Sequence, residues 1–364
     1  MPRVILLSTD LNRGGLPLRL VRLAPRLAEQ GFTTIVGCLS QPGPLSNCLE
    51  EQGIPTFACG ARHRFDLACL TKLTRHIRRI DPDLIHASLF HANLAARLVG
   101  RIDRNRPILT STVTVEIERP LHRWLESLTA GLSDLHIANS QTVLDHLTTD
   151  LGMSRERLAV VPNAIDLEAI HRARPIDRRA HDIHDDAKLM VWAGRMDPIK
   201  DLDTLIDVFV RVRDRLDARL ALLGDGPERP RLQRKVEQLA SPGDILLPGW
   251  QMDILPWLKS ADVFLFTSRT EGSPNAVLEA IACNCPVVAT DIPALRELLT
   301  ASGTGALAPA GDVESLSRLV EETLRRGRSE HPSSHLSHFL DSRDLPEIAR
   351  KWAGVYHRFL GQFP

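Results

Sequence analysis

The chain has 364 residues, of which 43% are hydrophobic and 25% charged, the composition of an ordinary globular protein. This length predicts two domains, each large enough for its own hydrophobic core. The 45 Lys and Arg residues balance the 45 Asp and Glu residues, so the net charge of zero gives no support for binding to nucleic acid. Composition therefore favours a two-domain protein and argues against a nucleic-acid partner.

The chain contains six cysteines: Cys38, Cys48, Cys59, Cys69, Cys283 and Cys285. Their spacing is not that of a metal site, so we expect free thiols and a reducing compartment. The first apolar run is too short for a signal peptide, and no run reaches the length of a membrane span. The sequence therefore predicts a cytoplasmic protein with no bound metal.

The N-terminal half begins as a strand, a loop, a helix and a second strand. Residues 4–7 predict the first strand, and Gly14 and Gly15 lie in the loop that follows it. An amphipathic helix then runs to about Gln30, and residues 33–39 predict the second strand. This order predicts a doubly wound parallel sheet. The loop lacks the Gly-x-Gly-x-x-Gly spacing, so a nicotinamide cofactor is not expected.

Two histidines lie near the end of a later strand. Further strands are predicted at residues 83–87, 107–111 and 134–138, with a helix over 119–132. His86 lies in the first of these strands and His91 just beyond it. A histidine at the C-terminal end of a strand is a candidate general base or sugar ligand, and a core histidine is the alternative. Glu116 and Glu118 follow the next strand and could contact the acceptor or the donor, but a solvated loop is the favoured interpretation.

The second half contains apolar strands that end at glycines. Residues 189–193 precede Gly194, and residues 220–223 precede Gly224 and Gly226. Strand ends of this kind can line one edge of a parallel sheet. Between the two strands lie an arginine and a lysine, Arg195 and Lys200. The arginine can form a fork on phosphate oxygens, and the lysine can add a point charge. Before this half, the charged residues 168–187 suit a linker.

The strand predicted at residues 262–266 is followed by a turn and a helix. This segment contains Glu271, Gly272, Ser273, Pro274, Asn275 and Glu279. Ser273 is predicted to cap the helix, with Pro274 at its first position. The N-terminus of this helix favours the binding of a diphosphate, because its first backbone N–H groups have no partner within the helix. Glu279 could bind a ribose and Glu271 a sugar. Taken alone, the stretch is equally compatible with a solvated turn.

The order and spacing of these motifs resemble those of the retaining family 4 glycosyltransferases of GT-B fold. The residues that carry the resemblance are Gly194-Arg195, Lys200, Glu271 and Glu279. The resemblance extends over nearly the whole chain. It implies an α/β architecture of two Rossmann-like doubly wound domains facing a cleft.

The resemblance also implies the domain boundaries. An acceptor-side domain would span residues 1–170 and a nucleotide-sugar-binding domain residues 188–340. A C-terminal helix at about 342–364 would cross back to the first domain.

The resemblance assigns roles to these residues. Arg195 and Lys200 would hold the donor diphosphate, and Glu271 would contact the transferred sugar. Glu279 would bind the ribose. The implied catalytic residues are Arg195, Lys200, Glu271, His91 and His86, and the implied donor-binding residues are Gly14, Gly15, Gly194, Gly224, Gly226, Gly272, Ser273, Pro274, Asn275 and Glu279. Relatives commonly carry a histidine where this chain has Ser88.

The implied function is metal-independent, retaining transfer of a sugar from a UDP- or GDP-type nucleotide sugar to a glycan or lipid-linked acceptor, without a cofactor. Two alternatives remain open: a GT-B nucleotide-sugar epimerase and a non-catalytic nucleotide-sugar-binding subunit. The basic residues Arg75, Arg78 and Arg79 lie in an amphipathic segment that could contact an anionic membrane. An ordinary surface helix is the alternative. The expected location is cytoplasmic, with possible association at the inner face of the membrane.

Overall fold

The computed structural model describes residues 1–63, 66–102, 105–115, 120–239, 241–329 and 333–361. The chain forms two compact units. The first comprises Met1–Ala164 with Arg343–Pro364, and the second comprises Ile165–Ser342. Each unit is built on one parallel sheet.

The first unit contains a seven-stranded sheet. Its strands are β1 (Arg3–Ser8), β2 (Thr33–Cys38), β3 (Thr56–Ala58), β4 (Leu84–Ser88), β5 (Ile108–Thr112), β6 (Leu135–Ala138) and β7 (Leu158–Val160). The strand order is β3-β2-β1-β4-β5-β6-β7, and every pair is parallel. The order reverses between β1 and β4, and ligands bind at the carboxyl ends of strands at such a point.

Six helices follow these strands: α1 (Gly15–Glu29), α2 (Pro44–Glu51), α3 (Leu67–Ile80), α4 (Phe90–Val99), α5 (Pro120–Thr129) and α6 (Gln141–Asp145). The strands β1, β2, β4, β5 and β6 are almost wholly buried, whereas β3 and β7 are partly exposed. Parallel strands that are covered on both faces are continuous apolar runs in the sequence.

The second unit contains a six-stranded sheet. Its strands are β8 (Lys188–Ala193), β9 (Ala218–Leu223), β10 (Ile245–Gly249), β11 (Val263–Phe266), β12 (Val287–Thr290) and β13 (Ala306–Ala308). The order β10-β9-β8-β11-β12-β13 repeats the doubly wound pattern of the first unit, again with parallel pairs. The two sheets confirm the prediction of two Rossmann-like doubly wound domains.

The helices of the second unit are α7 (Leu167–Arg172), α8 (Leu202–Arg213), α9 (Arg229–Glu237), α10 (Leu255–Ser260), α11 (Asn275–Ala282), α12 (Pro293–Ser302), α13 (Val313–Arg326) and α14 (Ser334–Asp341). The charged segment 168–187, expected as a linker, packs on this unit. Ile170 and Ile183 are buried in its core. The backbone N–H of Ile176 donates to Ser260 Oγ at 2.9 Å, and Arg178 pairs with Asp262 at 3.0 Å.

The last helix, α15 (Leu345–Leu360), packs on α1 in the first unit. Trp352 and Tyr356 are fully buried there and join the core formed by β1, β2 and α1. The Tyr356 ring meets that of Phe32 edge-on, with centroids 5.6 Å apart. The C-terminal residues therefore complete the first unit although the chain has passed through the second.

Among the described residues, no helix combines the length and the apolar character that a bilayer span requires.

Candidate active site

Three neighbouring strands of the second unit end at glycines that touch one another. The Gly224 N–H donates to the carbonyl oxygen of Gly249 at 2.9 Å. A Cβ atom on Gly224 would lie 1.8 Å from the carbonyl oxygen of Gly194, and one on Gly226 would lie 2.5 Å from that of Met196. Side chains at these two positions would force the backbones apart, so glycine is required for this close approach. The result is a compact edge at the carboxyl ends of β8, β9 and β10.

Lys200 and Glu271, 71 residues apart, meet at the same edge of the sheet. Lys200 Nζ donates to Glu271 Oε1, and the two side chains are only 17% and 9% exposed. Lys200 Nζ also lies 5.6 Å from the centroid of the Phe266 ring at the end of β11. The structure therefore brings together the residues predicted to hold the diphosphate and the sugar.

The loop that carries Lys200 is fixed by residues that the sequence analysis did not identify. Thr267 Oγ1 donates to the carbonyl oxygens of Lys200 and Asp201, at 2.9 and 3.1 Å. Asp201 adopts a left-handed backbone conformation (φ 49°), and its carboxylate accepts from Arg269 Nε at 3.1 Å. The sequence feature that could have identified this contact is Thr267, which comes directly after the buried strand β11. These contacts limit the positions that the lysine ammonium group can reach.

Arg195 lies directly after Gly194 and is largely exposed. Its Nε is 3.0 Å from Asp197 Oδ2, and its side chain is 70% exposed. A solvated guanidinium of this kind can exchange its carboxylate partner for a phosphate at little cost. The structure thus places Arg195 after β8, with a partner that a ligand can replace.

The helix start after β11 differs from the prediction. Pro274 is the N-cap residue of α11 and has extended backbone angles (φ −74°, ψ 116°), and its side chain makes no capping hydrogen bond. The prediction that Ser273 caps the helix, with Pro274 at its first position, is therefore wrong. The helix begins at Asn275, so the segment Gly272-Ser273 forms the preceding turn.

Asn275 and Glu279 lie one turn apart on α11, as predicted. Glu279 is buried, and Asn275 Oδ1 is a buried acceptor without a hydrogen-bond partner among the described residues. Buried acceptors of this kind are uncommon unless a ligand or water satisfies them. This face of α11 can therefore accept hydrogen bonds from a polyhydroxylated group.

The predicted glycine loop of the first unit lies at the start of α1. Gly14 is the N-cap residue and Gly15 the first helical residue. The Gly14 backbone is fully extended (φ −177°), so its conformation does not require glycine. Its carbonyl oxygen accepts from the Leu18 N–H at 3.1 Å.

His86 lies inside the first unit, and both of its ring nitrogens have partners. Nδ1 is 2.7 Å from Tyr356 Oη, and Nε2 is 2.6 Å from Ser111 Oγ. Burial, followed by the charge of Arg19, lowers the pKa of His86 to about 3. Its ring also packs against Trp352, with centroids 4.6 Å apart. The structure therefore gives His86 the environment of a neutral core histidine that ties β4 to α15, and not the exposed position expected of an acceptor base.

His91 is the second residue of α4 and is partly buried. The helix follows Leu89, a non-glycine residue with a positive φ of 76°. The His91 ring meets the rings of Phe90 and His122 edge-on, with centroids 5.1 and 5.3 Å away. Of the two predicted histidines, His91 is thus the one at the carboxyl edge of the first sheet. Glu116 and Glu118 lie outside the described residues.

No group of three or more His, Cys, Asp or Glu side chains in the described part of the chain could hold a metal ion. The six cysteines are free, and burial raises the pKa of Cys283 and of Cys285 to about 12. These thiols are consequently protonated and unreactive near neutral pH.

Two family profiles match the chain in succession. Residues 13–169 match "Glycosyltransferase Family 4", and residues 187–326 match "Glycosyl transferases group 1". The D-inositol 3-phosphate glycosyltransferase of Geodermatophilus obscurus is 30% identical over 369 aligned positions, which cover 86% of this chain and 78% of the relative. The chain belongs to the family 4 (group 1) glycosyltransferases. It is therefore a transferase, as the resemblance implied.

Other relatives match over a smaller part of their length. An uncharacterized glycosyltransferase of Methanocaldococcus jannaschii is 26% identical, and the match covers 60% of this chain and 58% of that protein. Among solved structures, Anabaena HepE in complex with UDP and glucose superposes with a TM-score of 0.84 at 20% identity, covering 98% of this chain and all (100%) of the other. This similarity confirms the GT-B type of fold.

Proposed function

We propose that this glycosyltransferase moves a hexose, with retention of configuration and without a metal ion, from a nucleoside-diphosphate sugar to an acceptor hydroxyl. The observation that carries the proposal is the Lys200–Glu271 pair at the carboxyl edge of the second sheet. A cation for the leaving diphosphate and a carboxylate for the sugar stand side by side there. Arg195 and the N-terminus of α11 follow neighbouring strands of the same sheet.

The chemistry needs no protein nucleophile. The acceptor oxygen forms a bond to the anomeric carbon on the face from which the diphosphate departs, and the bond from that carbon to the phosphate oxygen breaks. The acceptor proton passes to the departing phosphate oxygen. Lys200 and Arg195 stabilise the negative charge that develops on the diphosphate. Because two cationic side chains and a helix N-terminus neutralise it, a metal ion is not needed for this task.

We propose UDP as the nucleotide, with GDP as the alternative. Anabaena HepE has been solved with UDP, with UDP and glucose, and with UDP-glucose, which supports UDP for a chain of the same fold. A thermal-shift panel of UDP-, GDP-, ADP- and CDP-sugars tests the proposal. We expect the UDP-sugars to raise the Tm most, since binding to the folded state alone stabilises it. A panel with no shift would contradict a nucleotide-sugar site.

We further propose that the acceptor is a glycan or a lipid-linked group and that the first unit contacts an anionic membrane. The contact surface differs from the one that the sequence suggested. The predicted basic helix α3 exists, but Cys69, Leu73 and Ile77 on its apolar face are buried in the core of the first unit. That face cannot also bind lipid.

The exposed apolar side chains lie on α4 and α5 instead. Leu98 is exposed at the end of α4, and Trp124 and Leu128 are 60% and 65% exposed on α5. Arg101 donates to the carbonyl oxygen of Leu132 at 3.1 Å, just after α5, and also forms an ion pair with Asp134, so the cation near these side chains is already paired. Exposed Trp and Leu side chains suit the interface of a bilayer.

Co-sedimentation with vesicles tests this contact. We expect binding to phosphatidylcholine vesicles that contain phosphatidylglycerol, and weaker binding to phosphatidylcholine alone. Trp124→Ala and Leu128→Ala should reduce binding, whereas Met252→Ala, which changes an exposed apolar side chain of the second unit, should not. Equal binding by all variants would contradict this surface.

A further inference from the structure

One leucine of the first unit has backbone angles that its side chain disfavours. Leu89 connects β4 to α4 with φ 76° and ψ 151°. Glycine adopts this region readily, whereas a residue with a Cβ atom is strained in it. Strained residues of this kind cluster at functional sites, where the surrounding structure holds them. The other non-glycine residues with positive φ in the described part of the chain are of types that tolerate left-handed angles: Asp81, Asp182, Asp201 and Asn284.

Neighbouring hydrogen bonds hold Leu89 in this conformation. Its N–H donates to the carbonyl oxygen of Ser111 on β5 at 3.3 Å, and its own carbonyl oxygen accepts from the Asn93 N–H at 2.9 Å. Asn93 Nδ2 donates to the same Ser111 oxygen at 3.1 Å, and Asn93 is buried. Leu89 is thus fixed between β5 and the first turn of α4, and relaxation of its backbone would break these contacts.

The conformation of Leu89 sets the direction in which α4 begins. Phe90, the first residue of the helix, stacks on His122 of α5, with ring centroids 3.9 Å apart and an interplanar angle of 8°. His91, the second residue, meets both of these rings edge-on. A residue that is confined to negative φ would turn the chain differently after β4 and displace the first turn of α4. The ring of His91 would move with that turn.

We propose that Leu89 is a positioning residue, whose positive φ places the His91 ring where sugar transfer requires it. The leucine side chain itself takes no part in the reaction. The strain is retained because the backbone could relax only by moving the histidine. This inference rests on the proposed transferase function and on the catalytic role predicted for His91.

Three substitutions separate the backbone of position 89 from its side chain. Glycine accepts a positive φ freely, alanine accepts it at a cost, and valine, which is β-branched, accepts it least. We expect kcat for consumption of a radiolabelled UDP-sugar to stay near the wild-type value in Leu89→Gly. It should fall by about tenfold to a hundredfold in Leu89→Val, as expected when a reacting group is slightly misplaced. Leu89→Ala should give an intermediate loss, so the order is measurable even if Leu89→Val does not fold.

This order is the reverse of what side-chain packing predicts, because valine is the closest of the three to leucine in size and glycine the most distant. The affinity for UDP, measured by titration calorimetry, should be unchanged in all three variants. Lys200 and Glu279, which are proposed to hold the donor, belong to the second unit. A loss of kcat without a loss of UDP affinity therefore distinguishes positioning of His91 from general damage to the protein.

Thermal unfolding tests the strain at Leu89 without any assumption about function. Alanine is more stabilising than glycine at an ordinary position, but this order is reversed where φ is positive. We expect the Tm of Leu89→Gly to exceed that of Leu89→Ala by about 2–4 °C. Leu121, an exposed residue of α5, is the control position. There the alanine variant should have the higher Tm and the wild-type kcat.

A double-mutant cycle with His91→Ala tests whether Leu89 acts through the histidine. Leu89→Val should cause no further loss of kcat once the His91 side chain is absent. An equal loss in both backgrounds, a wild-type kcat in Leu89→Val, or a higher Tm for Leu89→Ala than for Leu89→Gly would each overturn the proposal. A wild-type protein that consumes no UDP-, GDP-, ADP- or CDP-sugar would instead contradict the proposed function, whereas the Tm values test the strain separately.

Discussion

Replacing Lys200 with alanine perturbs the proposed donor site most directly. The side chains of Lys200 and Glu271 are 17% and 9% exposed, so water screens their charges weakly. A charge that stabilises the departing diphosphate under such conditions is worth ~2–4 kcal/mol in the transition state. At ~1.36 kcal/mol for each factor of ten, kcat should fall by about 30-fold to 900-fold.

The same substitution leaves Glu271 without its cation. Removing one partner of a fully buried ion pair costs ~3–5 kcal/mol of stability. Removing Lys200 should cost less than this, because the Lys200–Glu271 pair is partly exposed. The double variant Lys200→Ala/Glu271→Gln removes that charge and should recover part of the lost Tm without recovering kcat. Lys235→Ala is the matched control, since Lys235 also forms ion pairs in the second unit, with Asp203 and Asp207.

The assay is the rate of consumption of a radiolabelled UDP-sugar, with Tm measured on the same samples. Lys235→Ala should retain the wild-type rate. If Lys200→Ala stays folded and its rate also remains near the wild-type value, then Lys200 does not act on the diphosphate and the donor site has been misplaced.

Three further outcomes follow from the same geometry. Glu279→Ala should weaken UDP binding and leave kcat nearly unchanged, whereas Glu271→Ala should lower kcat more than it lowers the affinity for UDP. Titration calorimetry measures the affinity, and initial rates measure kcat. If Glu279→Ala mainly lowers kcat and Glu271→Ala mainly weakens UDP binding, the two roles are exchanged. Excess EDTA should leave the rate unchanged, and activity that requires added magnesium or manganese would contradict metal independence. Burial lowers the pKa of His86 to about 3, whereas a histidine in the unfolded chain has an ordinary pKa of ~6.5. Between these two pH values only the unfolded chain binds the proton, so the free energy of unfolding should decrease as the pH falls from ~6.5 towards 3. Urea titrations between about pH 7 and pH 5 should therefore show a shallower pH dependence in His86→Phe, and an unchanged dependence would contradict the neutral state of the histidine.

Much of the fold was predictable because parallel strands buried on both faces are continuous apolar runs. The strand expected at residues 83–87 is observed at Leu84–Ser88, and the one expected at 262–266 at Val263–Phe266. The strands β3 and β13 were not predicted, since three residues are too few to show a periodic pattern. The segment 168–187 was mistaken for a linker because only a few apolar residues attach it to the second unit.

The candidate site was only partly predictable. The motif order identified Lys200 and Glu271, and their contact depends on β8 and β11 being neighbours in the sheet. The environment of His86 depends on Tyr356, a residue 270 positions later in the chain, and no local pattern reveals such a partner. The start of α11 was misplaced by one residue because Pro274 suits both the cap and the first turn.

The most direct test of the central proposal is the anomeric configuration of the sugar that the enzyme releases. Transferases of this kind are expected to transfer the sugar slowly to water when no acceptor is present. Proton NMR during incubation with a UDP-α-sugar should first show the α anomer of the unchanged sugar, and Lys200→Ala should abolish its formation. Initial release of the β anomer, release of an epimerised sugar, or no release from any UDP-, GDP-, ADP- or CDP-sugar would contradict retaining transfer at this site.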